Sequence, residues 1–555
     1  MRRTARHSCG RSSVKEEHEP GAAVVAGPPL AVLDDLHNGP RFDDLLRRAA
    51  AGAPGRIALR TPEEELTYGE FDRRVSGFAA ALRQLAGADA VVALAMELSL
   101  SYPVALYGIS RAGAVSALIN PLLPADRLVA LLHRADAAAV VVAPDLAVEL
   151  RDQFPAQYVL THRDPDIDTG ALPTVHEMTV RADDPVPAAS EGVFDTAACL
   201  QFTSGTTGDP KICRLSHRNL VVNAAQTAYA HRLGGSSVVF NFLPTFHSMH
   251  LHISVTAAAT HVLWPDPDIL GAVAGAHRNS ATHFYSLPVR LMRLAADPAL
   301  GETKADALRA ILSGGSAMSA GAIADLSAHF GVPVVQGYGL AETAPSVFLG
   351  NLDDPRPGSC GIPVPGAECR IVDVETRAVQ RVGAKGEIQV RGPQLMLGYL
   401  GRPLGADVDA GGWFSTGDIG FLDAEGYLFV VDRLKDVFKV DNWLVAPSEI
   451  EEVLRQHPGV ADCVVVDRPD EFSGAAAHGL VVAKDPGADP AGFAEFVNAR
   501  VPYYERLRTV ELVDRIPRSP IGKIQRRAVR ERLPGPQCST TPEEKTCSTP
   551  STGTP

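Results

Sequence analysis

The chain has 555 residues, enough for more than one hydrophobic core, and 45% apolar with 21% charged residues is the balance of an ordinary globular protein. A formal net charge of −13 disfavours nonspecific binding to nucleic acid or acidic membranes, so any polyanionic substrate needs a locally positive site. The eight cysteines form no C-x-x-C pair, which argues against a zinc ribbon or disulfide framework and fits a reducing cytoplasm.

The chain begins Met1-Arg-Arg with no apolar stretch behind it, so a secretory signal is not expected, and no apolar segment is long enough for a transmembrane helix. Residues 1–37 are polar and then Gly/Pro/Ala-rich, and residues 532–555 are Pro/Ser/Thr-rich; both are expected to be disordered. A large domain is expected over 38–434. It starts with a helix, a hairpin over 57–68, and a helix whose apolar positions are Phe71, Val75, Phe78, Ala79 and Leu82.

Strands at 91–95, 115–119 and 138–142 then alternate with helices at 102–111 and 125–135. This predicts parallel sheet covered on both faces. The alternation resumes with a helix over 216–230 and strands at 238–242 and 310–313, the latter followed by a helix over 319–330. From 360 to 431, short alternating runs between glycine-rich turns predict an antiparallel barrel or sheet. A small α+β domain is expected over 435–531 after a short charged linker. The fold class is therefore α/β, with parallel-type subdomains, a β-barrel-like subdomain and a small C-terminal domain.

Four segments carry chemistry. The first is Gln201-Phe-Thr-Ser-Gly-Thr-Thr-Gly-Asp-Pro-Lys211. Thr203, Ser204, Thr206 and Thr207 supply hydroxyls, Gly205 and Gly208 let backbone N–H groups turn inward, and Lys211 adds positive charge, a composition suited to polyphosphate. Ile212 follows the lysine, so the spacing is not that of the ordinary P-loop, and a solvated Ser/Thr/Gly loop fits the composition equally well. The second is Gln336-Gly-Tyr-Gly-Leu-Ala-Glu342-Thr343. Between Gly337 and Gly339, Tyr338 can lie flat against a base, Glu342 offers a hard oxygen to Mg²⁺, and Thr343 offers a hydroxyl to phosphate. By itself the segment reads more readily as a turn with a buried tyrosine.

The third is Trp413-Phe-Ser-Thr-Gly-Asp418, where a carboxylate fixed by a turn can accept from two ribose hydroxyls, or can simply be a turn residue. The fourth is Pro517-Arg-Ser-Pro-Ile-Gly-Lys523-Ile-Gln-Arg-Arg527, a lysine on a defined loop with arginines behind it. Such a run is ordinarily a solvated basic face.

Together, in this order, the four segments resemble the signatures of the adenylate-forming superfamily: acyl-CoA synthetases, luciferases and peptide-synthetase adenylation domains. Gly386-Glu-Ile-Gln-Val-Arg-Gly392, Met396-Leu-Gly-Tyr399 and Ala446-Pro-Ser-Glu-Ile-Glu451 extend the likeness over residues 40–530. The resemblance implies that ATP binds at the 203–211 loop, Gly315, Ser316, the Gly337–Gly339 segment, Thr343, Asp418 and Arg433, with Glu342 on Mg²⁺. It implies that a carboxylic acid and ATP give an acyl-adenylate and pyrophosphate, with Lys523 offsetting charge at the α-phosphate. Lys435 is then the hinge about which the small domain turns, and Lys439 faces the site when a thiol takes the acyl group.

The thiol is expected to be coenzyme A; the rival is a carrier-protein phosphopantetheine loaded by a stand-alone acyl-AMP ligase. A non-catalytic nucleotide or acyl-ligand sensor is the alternative of another class, disfavoured because a sensor need not keep Lys523. Nothing specific supports a light-emitting oxygenase.

The acyl-pocket segment is Asn241-Phe-Leu-Pro-Thr-Phe-His247-Ser-Met-His250-Leu-His252, with His247 expected to close the carboxylate side. No aspartate lies between Asn241 and Thr260 to pair an α-ammonium, so α-amino acids are disfavoured. Phe284, Tyr285 and Gly314, with Gly315 and Ser316, are expected to line the same cavity. His250, where glycine is common, should shorten or polarise it and favour a compact or aryl acid. The three histidines lack the neighbouring Cys or carboxylate that would complete a metal set. Ile212 and Asn442 also stand where the superfamily usually has glycine, and the resemblance implies that Asn442 lies in the region bordering that superfamily's pantetheine tunnel.

Overall fold

The computed structural model describes residues 23–33, 41–180, 193–203, 210–243, 248–403, 405–441, 443–470, 472–518 and 524–532. Residues Ser204 to Gly208 of the glycine loop, His247, Asn442, Lys523 and both tails lie outside them. The chain divides into two compact units, Met1–Val430 and Val431–Pro555.

The large unit contains three sheets. In the seven-stranded one, Ala197–Phe202, Val115–Leu118, Val91–Ala95, Ala137–Val142 and Gln157–Leu160 are parallel neighbours, and Ile212–Ser216 and Gly398–Tyr399 are added antiparallel beyond Ala197–Phe202. Its central parallel strands, Val115–Leu118, Val91–Ala95 and Ala137–Val142, are mostly apolar without alternation and mostly buried, as parallel sheets require. The intervening helix Ser101–Ala112 is buried from Tyr102 onward; Arg111 within it is paired with Asp43 at 3.2 Å and Asp72 at 2.7 Å.

The nine-stranded sheet has a parallel centre, in the order Val334–Gly339, Ala310–Gly314, His283–Ser286, Val238–Phe242, Thr260–Leu263 and Ile57–Arg60. Its last parallel member comes from the early hairpin, whose Leu59 pairs with His261 across some two hundred residues. The helix after that hairpin, Tyr68–Ala86, starts at a capping box in which Thr67 Oγ1 accepts from the Glu70 amide and Glu70 accepts from the Thr67 amide at 2.9 Å. The five-stranded sheet pairs Val24–Ala26, Glu368–Val372, Gly386–Arg391 and Phe414–Leu422 antiparallel and is completed by Leu428–Arg433. The mixed architecture expected from the sequence is the one observed, and helix and strand ends mostly agree within a few residues.

In the small unit, Val460–Asp470 and Gly474–Ala483 form an antiparallel pair, with Leu507–Leu512 parallel at the edge. Helices Pro447–Arg455 and Pro490–Asn498 cover it through Ile450, Leu454, Phe493 and Val497, all buried. A two-stranded hairpin pairs Phe438–Val440 with Trp443–Val445. Among the described residues, no helix is long and apolar enough to cross a membrane.

Candidate active site

The nine-stranded sheet ends in one row, where Phe242, Ser286, Ser313 and Gln336 are register neighbours across four parallel strands, with Gly314 beside Gly337 one step further. Ligands in open α/β sheets bind beyond such carboxyl ends. Two of the strands leave the row through glycine-rich segments, Gly314-Gly315-Ser316 and Gly337-Tyr338-Gly339. Gly315 has φ +93°, and a Cβ there would meet nothing within 4 Å, so this loop turns in a way that suits glycine and faces open space. Gly339 is glycine for packing, since a Cβ would lie 1.9 Å from the Pro345 carbonyl oxygen. Gln336 accepts from the Met318 amide at 2.6 Å and ties the 314–318 loop to the Tyr338 strand.

Tyr338 and Asp418 come from different sheets and meet here. The Tyr338 hydroxyl donates to Asp418 Oδ2 at 2.5 Å. Asp418 is only 2% exposed, and its amide donates to Thr416 Oγ1, which itself donates to the Ile388 carbonyl at 2.8 Å. The carboxylate is therefore held in a fixed place before any ligand arrives.

Glu342 lies on the single turn Ala341–Thr343. Its carbonyl accepts from the Met396 amide at 2.9 Å, and its Oε1 accepts from the Tyr399 hydroxyl at 2.6 Å. The Lys211 ammonium sits 4.5 Å from the centroid of the same Tyr399 ring. The Thr203 amide donates to the Lys211 carbonyl at 2.9 Å, bringing the two ends of the glycine loop together. Ile212 is buried in the core of the seven-stranded sheet. Tyr399 is the residue that the sequence reading missed as a contact: Met396-Leu-Gly-Tyr399 is visible as a motif, but its partners are 57 residues or more away in sequence.

Two expectations need correction. Thr343 does not offer its hydroxyl outward. Its side chain is buried, its hydroxyl accepts from the Leu340 amide at 2.9 Å, and its single proton is shared between the carbonyls of Leu340 and Pro345, so the turn itself occupies it. Phe284 does not share a cavity with Tyr285. Successive residues of a strand point to opposite faces, and Phe284 stacks on Phe240 at 5.4 Å in the core under the far face.

Tyr285 turns to the near face, where its hydroxyl bonds His231 Nδ1 at 2.8 Å and the His250 ring meets it edge-on at 4.6 Å. His250 is buried on the helix Met249–Thr256. His252 is a core histidine, bonded to the Tyr107 hydroxyl at 3.1 Å and pushed by burial to a pKa of about 3. Among the described residues no group of three or more His, Cys, Asp or Glu could hold a metal by itself.

Of the small unit's expected site residues, Arg433 and Lys435 are exposed and Lys439 is half-buried on the hairpin strand Phe438–Val440. Partial desolvation lowers the Lys435 ammonium below its ordinary value; Asp436 opposes this, and Arg433, Arg530 and Arg526 add to it. The segments flanking residues 519–523 are pinned. Arg518 donates to both oxygens of Asp462, and Arg526 donates to Glu451 at 2.7 Å.

A strand-end cradle, an aromatic ring bonded to a buried carboxylate, and a lysine and a glutamate gathered on one tyrosine have the chemistry that a nucleotide could use. A model of AMP-binding enzymes matches residues 46–400, and one of the AMP-binding enzyme C-terminal domain matches 449–523. The chain belongs to the AMP-binding enzyme family. It is 32% identical over 530 residues to a long-chain-fatty-acid–CoA ligase of Escherichia coli O157:H7, covering 89% of this chain and 94% of that protein. It is 32% identical over 529 residues to 4-coumarate–CoA ligase 5 of Oryza sativa subsp. japonica, covering 91% and 96%. Its fold matches that of ATP-bound MatB from Rhodopseudomonas palustris with a TM-score of 0.79 at 27% identity, over 88% of this chain and 98% of that one.

Proposed function

We propose that this protein is an ATP-dependent, AMP-forming carboxylic acid–CoA ligase acting on a compact or aryl acid. The observation that carries this reading is the Tyr338–Asp418 hydrogen bond, which joins two motifs 80 residues apart into one wall beside the glycine-rich strand ends. An adenine can lie against the Tyr338 ring, and its ribose can exchange hydroxyl contacts with Asp418, with Arg433 as companion. The glycine loop and Lys211 receive the outer phosphates.

Glu342 suits Mg²⁺ because a single half-buried carboxylate leaves most of the coordination shell to phosphate oxygens and water, as this ion prefers. When bound, the ion neutralises charge on the phosphate oxygens. A carboxylate oxygen of the acid attacks the α-phosphorus, the bond to the β-phosphate oxygen breaks, and pyrophosphate leaves. Lys523 offsets the charge that develops on the α-phosphate. The thiolate of CoA then attacks the acyl carbon and AMP leaves, with Lys435 as the hinge and Lys439 serving this second step. His247 would close the carboxylate side of the pocket.

The preference for a compact acid rests on the block formed by His250, Tyr285 and His231, which occupies space that glycine at position 250 would leave open. Pyrophosphate release measured with Mg·ATP over aryl, short, medium, long and α-amino acids tests the reading. Release with aryl or short acids, lost in Lys523→Ala, is expected, followed by AMP and thioester on adding CoA. Release with long-chain acids alone would overturn the acid class, thioester formed only on a holo-carrier protein would overturn CoA, and no release with any acid would overturn the ligase.

A further inference from the structure

We infer that Tyr399 is a positioning residue for adenylation, which orients the Glu342 carboxylate toward the divalent cation and holds the Lys211 ammonium over its ring. The inference rests on the nucleotide-site reading above. Three observations carry it. The Tyr399 hydroxyl donates to Glu342 Oε1 at 2.6 Å, and Lys211 Nζ lies 4.5 Å from the centroid of the ring. The tyrosine is 7% exposed, so its ring is packed and its hydroxyl has one direction to point. Its backbone is stitched to both partners' segments. Tyr399 is the register neighbour of Cys213, the Leu397 and Leu400 amides donate to the Arg214 and Ile212 carbonyls at 2.9 and 2.8 Å, and the Met396 amide donates to Glu342 itself.

The chemistry explains why a tyrosine suits this position. A carboxylate meant for Mg²⁺ must be oriented without being neutralised. An arginine or lysine bonded to it would compete with the metal, whereas a neutral hydroxyl fixes the carboxylate and leaves its charge for the cation. The ring face gives the Lys211 ammonium a favourable resting position without using a carboxylate oxygen. One side chain thus sets the phosphate-binding cation and the metal-binding anion in register.

The full-length protein carrying Tyr399→Phe, which keeps the ring, and Tyr399→Leu, which removes it, separates the two roles. Mn²⁺ binding in the presence of ATP is read by electron paramagnetic resonance, metal-free ATP binding by calorimetry, and the Mg²⁺ requirement by carboxylate-dependent pyrophosphate exchange. Tyr399→Phe is expected to weaken Mn²⁺ binding roughly tenfold, the worth of one hydrogen bond to a charged group, and to raise the Mg²⁺ requirement by the same factor, with metal-free ATP binding unchanged. Tyr399→Leu is expected to weaken metal-free ATP binding as well. In a Glu342→Gln background, Tyr399→Phe should change nothing further.

Mn²⁺ affinity unchanged in Tyr399→Phe, or Mn²⁺ and metal-free ATP binding falling together in step with Tm, would overturn the inference and leave Tyr399 a packing residue. A wild-type protein that binds Mn·ATP but exchanges no pyrophosphate with any acid would overturn the ligase reading while leaving the Tyr399 comparison readable. Absence of Mn·ATP binding in the wild type would overturn both.

Discussion

Glu451 in the small unit is 1% exposed, and its oxygens accept from the Val465 amide at 2.9 Å, Arg526 at 2.7 Å and Arg455 at 3.0 Å. Glu342 in the large unit is half-buried and accepts from a neutral tyrosine hydroxyl. Burial pushes the Glu451 carboxyl up, against the pull of Arg526, the Val465 amide and Arg455. Both glutamates belong to sequence motifs and look alike in one dimension. Their surroundings separate them: a carboxylate saturated by two guanidinium groups and an amide has its charge spent on the fold, whereas one steadied by a neutral donor keeps its charge for a cation.

Breaking the saturated site should cost the most. Glu451→Ala leaves Arg526 buried beside an emptied site and is expected to destabilise the small unit by about 3–5 kcal/mol, read by denaturant unfolding; a normal unfolding curve would mean that the Arg526 pair contributes nothing. Phe284→Ala, which cavitates the far-face core, is expected to lose about 3–5 kcal/mol of large-unit stability with no change in acid preference, whereas His250→Gly should admit longer acids. Glu342→Gln should do the reverse of Glu451→Ala, lowering pyrophosphate release roughly 10²-fold or more with Tm nearly unchanged.

Acid sharpens the contrast further. Burial holds His217 and His283 at about 4 and His231, His252 and His261 at about 3, so the unfolded chain binds more protons than the folded one below about pH 6.5. Their contribution is fully present above the unfolded value and is lost as pH falls through the folded ones. At pH 5 each is expected to cost about 2 kcal/mol, and His252→Gln should flatten the unfolding-versus-pH curve by one proton. Glu451, raised in the folded state, has the opposite sign: its stabilising share is present below its unfolded pKa and lost as pH rises through the folded one. The smallest effect is expected from Tyr338→Phe, which frees Asp418 of one hydrogen bond and should raise the ATP KM by about tenfold or less with kcat little changed.

Much of the fold was legible because its signals are local. Strands such as Val91–Ala95 and the helix Ala125–Ala135 match their expected spans, since apolar periodicity and turn residues act over a few positions. The strand Ile212–Ser216 was missed: five residues next to a helix cap carry no pattern of their own and become a strand by pairing with Ala197–Phe202. Strand alternation places Phe284 and Tyr285 on opposite faces, but motif matching alone put them in one cavity. Thr343 looked available because its type suits phosphate, and only the closed turn shows that its hydroxyl is occupied.

The sequence by itself determined the class of the fold, the family, and the residue types a nucleotide site needs, because these follow from short-range pattern and from motifs whose order along the chain is preserved. It could not determine which strands share a sheet. The pairing of Leu59 with His261, or of Tyr399 with Cys213, is a choice among many apolar partners that is made by the whole core at once. Nor could it separate Glu342 from Glu451. The role of a carboxylate depends on how many donors reach it and how much water it retains, and those donors arrive from distant parts of the chain only when the core closes.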